Sequence, residues 1–286
     1  MTAKIRQAGK TGMEVFLKGH IWLGLCAVTC TAATYILLHQ TIQPLYIFFV
    51  FFGTMTIYNL HSLYSKKATA LPDMKSGGIP VRFQKFFLPA GLFTTAGLYA
   101  ILTPQNKMIL LIPAILAVLY VLPVFHGKRL KDFPYVKIAV IALVWTTVTF
   151  GVPVWHIPRW WSEQAYSMLF LDRFVFIFAL AIPFDIRDIR FDTGQNLRTL
   201  PNTIGVPFSR ILALFLLGIG ILLFTGAIGQ VFPRPHLAVW VAGVYAVLAY
   251  LIFRVRQDHS DFYYIVLLDG VLFLYGITVI LAAGWK

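Results

Sequence analysis

An all-α bundle of about nine transmembrane helices is the fold class this sequence predicts, and three observations predict it. Of the 286 residues, 59% are hydrophobic and only 12% are charged, about half the charge of a typical soluble domain. Apolar stretches about 17 to 25 residues long recur along the chain, each enough for one helix to cross a bilayer. No stretch of soluble-domain size lies between them, so residues 1–286 read as a single integral-membrane domain whose first 16 residues are polar and basic. The mean hydropathy of +0.77 agrees. A transmembrane β-barrel would need short segments of alternating polarity, and that pattern is absent.

The spans follow in order. The first is expected near 17–38. It carries Cys26 and Cys30 one helical turn apart, which read as small packing residues and not as a disulfide framework. The polar, basic stretch before it does not resemble a cleavable signal peptide. The second span, near 43–63, follows the short link "HQTIQP"; the third and fourth, near 84–103 and 107–125, are joined by "TPQNK". Links this short predict antiparallel hairpins. Five more spans are expected near 135–155, 166–184, 208–230, 237–254 and 262–283. Pro44, Pro104, Pro134, Pro207 and Pro233 punctuate their ends, as residues that cannot continue a helix do. Trp155, Trp160 and Trp161 gather after the fifth span, where an interfacial belt would hold them.

Charge orients the chain. The N-terminal segment and the connections after spans 2, 4, 6 and 8 hold 19 of the 24 Lys and Arg residues; Lys107, Arg159, Arg173, Arg234 and Lys286 are the other five. The positive-inside rule therefore predicts a cytoplasmic N-terminus and, with an odd number of spans, a C-terminus on the outer side of a cell's inner membrane. The net charge of +13 is mostly this topology signal, available also to anionic lipid headgroups. It is not the basic soluble patch that a nucleic-acid partner would require.

Against this sparse background of charge, "FDIRDIRFDTGQNLRTLP" concentrates three carboxylates, Asp185, Asp188 and Asp192. At about 100° per residue on a helix, Asp188 and Asp192 fall at about 300° and about 340° from Asp185, whereas Arg187 and Arg190 fall at about 200° and about 140°. One face is acidic and the other basic. Clustered carboxylates repel and raise one another's pKa, and a divalent cation removes that cost. Mg²⁺ favours carboxylate oxygens and commonly shares its shell with substrate phosphates. A solvated helix end with Asp and Arg paired across turns is the alternative.

The stretch from Asp185 to Gly205 closely resembles the second aspartate-rich motif of the UbiA superfamily of intramembrane prenyltransferases. That motif reads D-x-x-D-x-x-x-D, a polar linker with glycine, then [KR]-[ST]-L-P and a further glycine. Asp185, Asp188, Asp192, Gly194, Arg198, Thr199, Leu200, Pro201 and Gly205 match it. "YVLPVFHGKRLKDFPYVK" resembles the family's tyrosine–proline–basic stretch through Tyr120, Pro123, Lys128 and Arg129. The nine-span plan fits the family over nearly the whole chain.

The resemblance implies a transferase that moves a polyprenyl group from a polyprenyl diphosphate to an aromatic acceptor, as in quinone and chlorophyll biosynthesis, or to a hydroxyl of a lipid or sugar. It implies Mg²⁺ on Asp185, Asp188 and Asp192, with Asn59, Tyr120, Lys128, Arg129 and Arg198 contacting the substrate and Lys128 assisting diphosphate departure. The family's first motif, N-x-x-x-D-x-x-x-D, is broken here. In "YNLHSLYSKK" Asn59 matches, but Leu63 and Lys67 stand at the acid positions. Two accounts follow. Lys66 or Lys67 neutralises the diphosphate in place of a metal, or the chain binds an isoprenoid or lipid phosphate without catalysis. His61 and Asp73 are spare polar residues nearby.

Overall fold

The computed structural model describes residues 12–13, 15–63, 81–231 and 235–284. Lys66, Lys67, Asp73, Pro233, Arg234 and Lys286, with most of segment 1–16, lie outside the described residues. Within them the chain forms nine long helices and no strand. These are α1 (Ile21–Leu37), α2 (Pro44–Leu63), α3 (Val81–Ile101) and α4 (Pro104–Val121), then α5 (Val136–Trp155). They continue as α6 (Gln164–Gly194), α7 (Leu200–Val231) and α8 (Pro235–Arg254), and end with α9 (Tyr263–Ala283). Seven of the nine are long and apolar enough to cross a membrane; α1 and the apolar part of α3, Phe87–Ile101, are shorter. The chain is an integral, multi-pass membrane protein.

Most boundaries fall within a few residues of the sequence expectation. The exceptions are α6, which runs on as helix to Gly194, and α7, which begins at Leu200. Local chemistry sets several ends. Pro44 and Pro104 open α2 and α4, where a missing N–H costs nothing, and the Thr103 hydroxyl accepts from the Asn106 N–H to cap α4. Pro207 lies inside α7, just after the chain kinks at Gly205, whose φ of 81° an L side chain resists.

Eight of the described helices close into a ring, in which α4 meets α2 directly, and α3 packs on α2. α2 packs on α1, α5 on α4, α6 on α5, α7 on α6, α8 on α7 and α9 on α8, and α9 returns to α1. The arms of the expected second hairpin lean on different neighbours, α3 on α2 and α4 chiefly on α5. Small residues seal the α1–α9 seam, as is usual where lipid supplies no hydrophobic drive. A Cβ at Gly276 would stand 2.5 Å from the Thr29 carbonyl carbon. The buried, free thiols of Cys26 and Cys30 donate to the carbonyls of Asp269 (3.4 Å) and Leu272 (3.2 Å). They pack, as the sequence predicts.

Arg173 corrects the charge map. The sequence assigns it to the outer connections, but it is buried inside the bundle. Its Nη1 donates to Thr149 Oγ1 at 3.2 Å and its guanidinium lies 4.6 Å from the Tyr275 ring centre. The neighbouring Asp172 carboxylate accepts from the Tyr245 hydroxyl. Charge inside a bilayer persists where such partners surround it.

Candidate functional site

The α6 helix outlasts its apolar run and carries Asp185, Asp188 and Asp192 with it. Spacings of three and four place them on one face, and they are only 2, 8 and 3% exposed. Burial and mutual repulsion demand a cation, and Asp192, in the last turn of α6, also meets the negative end of the helix dipole.

The fold delivers one from α5. Beyond Asp192 the chain turns tightly, with the Leu197 N–H donating to the Asp192 carbonyl at 2.9 Å. The Asn202 side chain accepts from the Thr199 N–H (2.8 Å) and donates to the Leu197 carbonyl (2.6 Å), fixing the start of α7. The Tyr135 N–H then donates to the Arg198 carbonyl at 3.1 Å, fastening the connection before α5 to this turn. Two residues later Lys137 enters the acid cluster. Its Nζ lies 2.7 Å from Asp185 Oδ1, 3.4 Å from Asp192 Oδ2 and 3.8 Å from Asp188 Oδ2. Asp188 Oδ1 also accepts from Arg187 Nε at 2.9 Å. The Arg187 guanidinium lies over the rings of Phe184 and Tyr264, 5.2 and 5.0 Å from their centres.

Two expectations change here. The helical projection puts Arg187 opposite the acids, yet its long side chain bends back to Asp188; Arg190 stays exposed on the far face as projected. Lys137, in sequence one more base in a basic connection, is the centre of the cluster.

Beside the cluster lies a cavity of about 220 Å³ bounded by α1, α2, α4, α5, α6 and α9. Lys137, Asp185, Arg187, Asp188 and His61 make part of its wall charged or polar, and Tyr58, Tyr120, Trp145 and Phe184 add aromatic rings. Leu23, Val140, Val144, Ile177, Leu180 and Leu272 are among its aliphatic walls. Along α6 the lining runs from Ile177 to Asp188, about 16 Å at the helical rise. Lys131 Nζ donates to His61 Nε2 at 2.7 Å, which sets a second cation next to Tyr120. Asp269, where the π-turn of α9 meets its α-helical part, presents a carboxylate to the same cavity. Sequence reasoning gives no signal for Asp269 beyond a lone acid in an apolar run.

The remaining predicted residues are distributed around this centre. Tyr120 lines the cavity, and Arg198 lines with Lys131, Lys137 and Asp185 a crevice of about 10 Å³ behind the cluster. Lys128 is exposed in a turn closed by reciprocal backbone bonds with Phe125. Arg129 is buried on Asp132, with Nη2 to Oδ1 at 2.9 Å and Nε to Oδ2 at 3.1 Å. Burial pushes the Asp132 carboxyl up, but the bonds and charge of Arg129 outweigh it and hold the pKa below its ordinary value. Asn59 is buried away from the cavity, its Nδ2 donating to the Gly19 (2.9 Å) and Met55 (2.7 Å) carbonyls. Leu63, at a first-motif acid position, is half exposed.

The acids do not fit a resident Mg²⁺. That ion takes oxygens at about 2.0–2.1 Å in near-octahedral array. Here three carboxylates converge at 2.7–3.8 Å on an ammonium. Among the described residues no group of three or more His, Cys, Asp and Glu is arranged to hold a metal.

Solved structures share this architecture. A UbiA homologue from Archaeoglobus fulgidus bound to GPP and Mg²⁺ superposes with a TM-score of 0.66 at 15% identity, over 93% of this chain and 99% of that one. The apo UbiA homologue from Aeropyrum pernix K1 gives 0.66 at 14%, over 93% and 97%. A digeranylgeranylglyceryl phosphate synthase in membranes gives 0.56 at 16%, over 96% and 99%. The chain has the UbiA fold. No protein-family model and no curated protein matches its sequence. In this fold α6 carries the three aspartates, and six of the described helices bound the cavity beside them.

Proposed function

We propose that this protein is a membrane-embedded prenyltransferase that moves a polyprenyl group from a polyprenyl diphosphate to an aromatic or lipid acceptor. The observation that carries the reading is the cavity itself. It is apolar and aromatic along most of its wall, and it meets a cluster of Lys137, Arg187 and three aspartates on a UbiA fold. The GPP and Mg²⁺ bound to the A. fulgidus homologue support a prenyl diphosphate as the ligand class.

In this reading the isoprenoid tail lies against Leu23, Val144, Ile177 and Leu180, and the diphosphate meets the charged wall. Lys131, Lys137, Arg187 and Arg198 stand about the cluster and its cavity, facing the carboxylates of Asp185, Asp188, Asp192 and Asp269. A bound diphosphate would meet cations on the same wall as these acids. The allylic C–O bond breaks with its electron pair leaving on the diphosphate, whose new charge the ammonium and guanidinium groups stabilise. The rings of Tyr58, Tyr120, Trp145 and Phe184 offer their faces to the carbocation and exclude the water that would quench it. The acceptor then forms the new bond and loses a proton, for which His61 and Asp269 are the polar cavity groups available.

The chain is further proposed to form one domain over 1–286, with its N-terminus cytoplasmic, its C-terminus outside, in a cell's inner membrane. The charge asymmetry of its connections supports this, and more strongly once Arg173 is removed from the outer set. A second reading, an isoprenoid- or lipid-phosphate binder without turnover, is favoured by Leu63 at an acid position and by the ammonium among the remaining acids. Release of diphosphate from geranylgeranyl diphosphate, assayed with native membranes as the source of acceptor, separates the two. Turnover that depends on the protein supports transfer; binding without turnover supports the second reading, and neither binding nor turnover sinks both.

A further inference from the structure

We propose that the Lys137 ammonium is a resident counter-cation of the acid cluster, standing where a divalent ion would have to sit, so that these carboxylates hold no metal. The argument is geometric. An ammonium has three donors and no acceptor, and three carboxylates surround this one, the nearest at 2.7 Å, a charge-assisted hydrogen-bond length. The Lys137 side chain is 17% exposed and those of the acids 3–9%, so the group is part of the packed interior. Its position is built from both sides. The Tyr135–Arg198 backbone bond fixes the start of α5 against the α6–α7 turn, and the three-four spacing fixes the acids.

A second cation, Arg187, already occupies one side of Asp188. For Mg²⁺ to take the centre, Lys137 would have to withdraw from a buried position and all three carboxylates would have to close in to about 2.0–2.1 Å. Lysine cannot copy the oriented coordination of a metal, but it supplies positive charge at the same point and is tethered there. The consequence for substrate rests on the prenyl-diphosphate reading, since the anion would then be met by cations of the chain itself. The counter-cation does not rest on that reading.

The test uses Mn²⁺ alone, with no prenyl ligand, titrated into the full-length protein in detergent and read by electron paramagnetic resonance. Wild type should show no saturable binding through the millimolar range. Lys137→Met should gain a site tighter by at least about tenfold, the scale on which groups around a metal's ligands act, and adding Asp188→Asn should abolish it. Saturable Mn²⁺ binding by wild type that Asp188→Asn removes would overturn the proposal. So would a folded Lys137→Met protein that binds Mn²⁺ no better than wild type. If the variant does not survive extraction, Mn²⁺ in the extraction buffer should recover it by replacing the lost charge. Failure to recover either Lys137→Met or Lys137→Gln in this way would also overturn it.

Discussion

Replacing Lys137 by Met keeps most of the side-chain volume and removes one charge, so its cost isolates the ion cluster. The three carboxylates it leaves are 2, 8 and 3% exposed, and Arg187 contacts only Asp188 among them at hydrogen-bond distance. Breaking a buried ion pair from one side costs about 3–5 kcal/mol, because the partner charge stays buried. The Lys137→Met protein should lose stability in that range, on the order of 10 °C in melting temperature at about 2–4 °C per kcal/mol. Lys137→Arg, which keeps the charge, should recover much of it. The sharper readout is the cycle of Lys137→Met with Asp185→Asn. The ammonium is nearest Asp185, at 2.7 Å, so the double variant should be more stable than the sum of single losses predicts, by about 0.5–3 kcal/mol. Thermal unfolding in one detergent, followed by intrinsic tryptophan fluorescence, measures all four proteins. A Met variant as stable as wild type, or single losses that simply add, would refute the reasoning.

Three other outcomes follow from separate parts of the molecule. Gly276→Ala sets a methyl group 2.5 Å from the Thr29 backbone; overpacking of this kind costs about 1–3 kcal/mol, and a neutral effect on the melting temperature would mean the α1–α9 seam is looser than described. Ala181→Trp fills the cavity part-way between Ile177 and Asp188 and should weaken binding of long polyprenyl diphosphates more than of short ones, as competition binding would show; equal loss for all lengths would place the tail elsewhere. The Asp132 carboxyl has a lowered pKa in the folded protein, so its stabilising contribution is present above its unfolded value of about 3.9 and is lost as pH falls through the folded value. Melts of wild type and Arg129→Gln should therefore differ near neutrality and converge at strongly acid pH, and a difference that persists in acid would assign the effect to packing.

The parts legible in the sequence are those carried by period and hydropathy. The nine apolar runs are nine helices among the described residues, because nothing but a helix satisfies its own backbone in lipid. The acids share a face because three and four residues are nearly one helical turn. What was hidden depends on how far a side chain reaches. A wheel gives the direction of Cα–Cβ and not the reach of a guanidinium, so it sets Arg187 opposite the acids although its side chain reaches Asp188. Lys137 is hidden because a lysine that neutralises acids and a lysine that marks the cytoplasmic side look alike in a basic connection; the packing of α5 on α6 and the Tyr135–Arg198 bond, between segments more than sixty residues apart, bring it to the cluster. Arg173 reads as a loop charge in the sequence because its partners Thr149 and Tyr275 lie on other helices. Asn59, a match to the family's broken motif, turned out to tie α2 to the carbonyl of Gly19.

The central claim, that a prenyl diphosphate binds between the apolar cavity and the cations beside the acid cluster, is tested most directly by thermal stabilisation of the purified protein with geranylgeranyl diphosphate, in Mg²⁺ and in EDTA. A ligand that binds the native state raises its melting temperature. The account predicts a rise of similar size in both buffers, reduced by Ala181→Trp. No rise with geranylgeranyl diphosphate or with longer polyprenyl diphosphates, in either buffer, would contradict it.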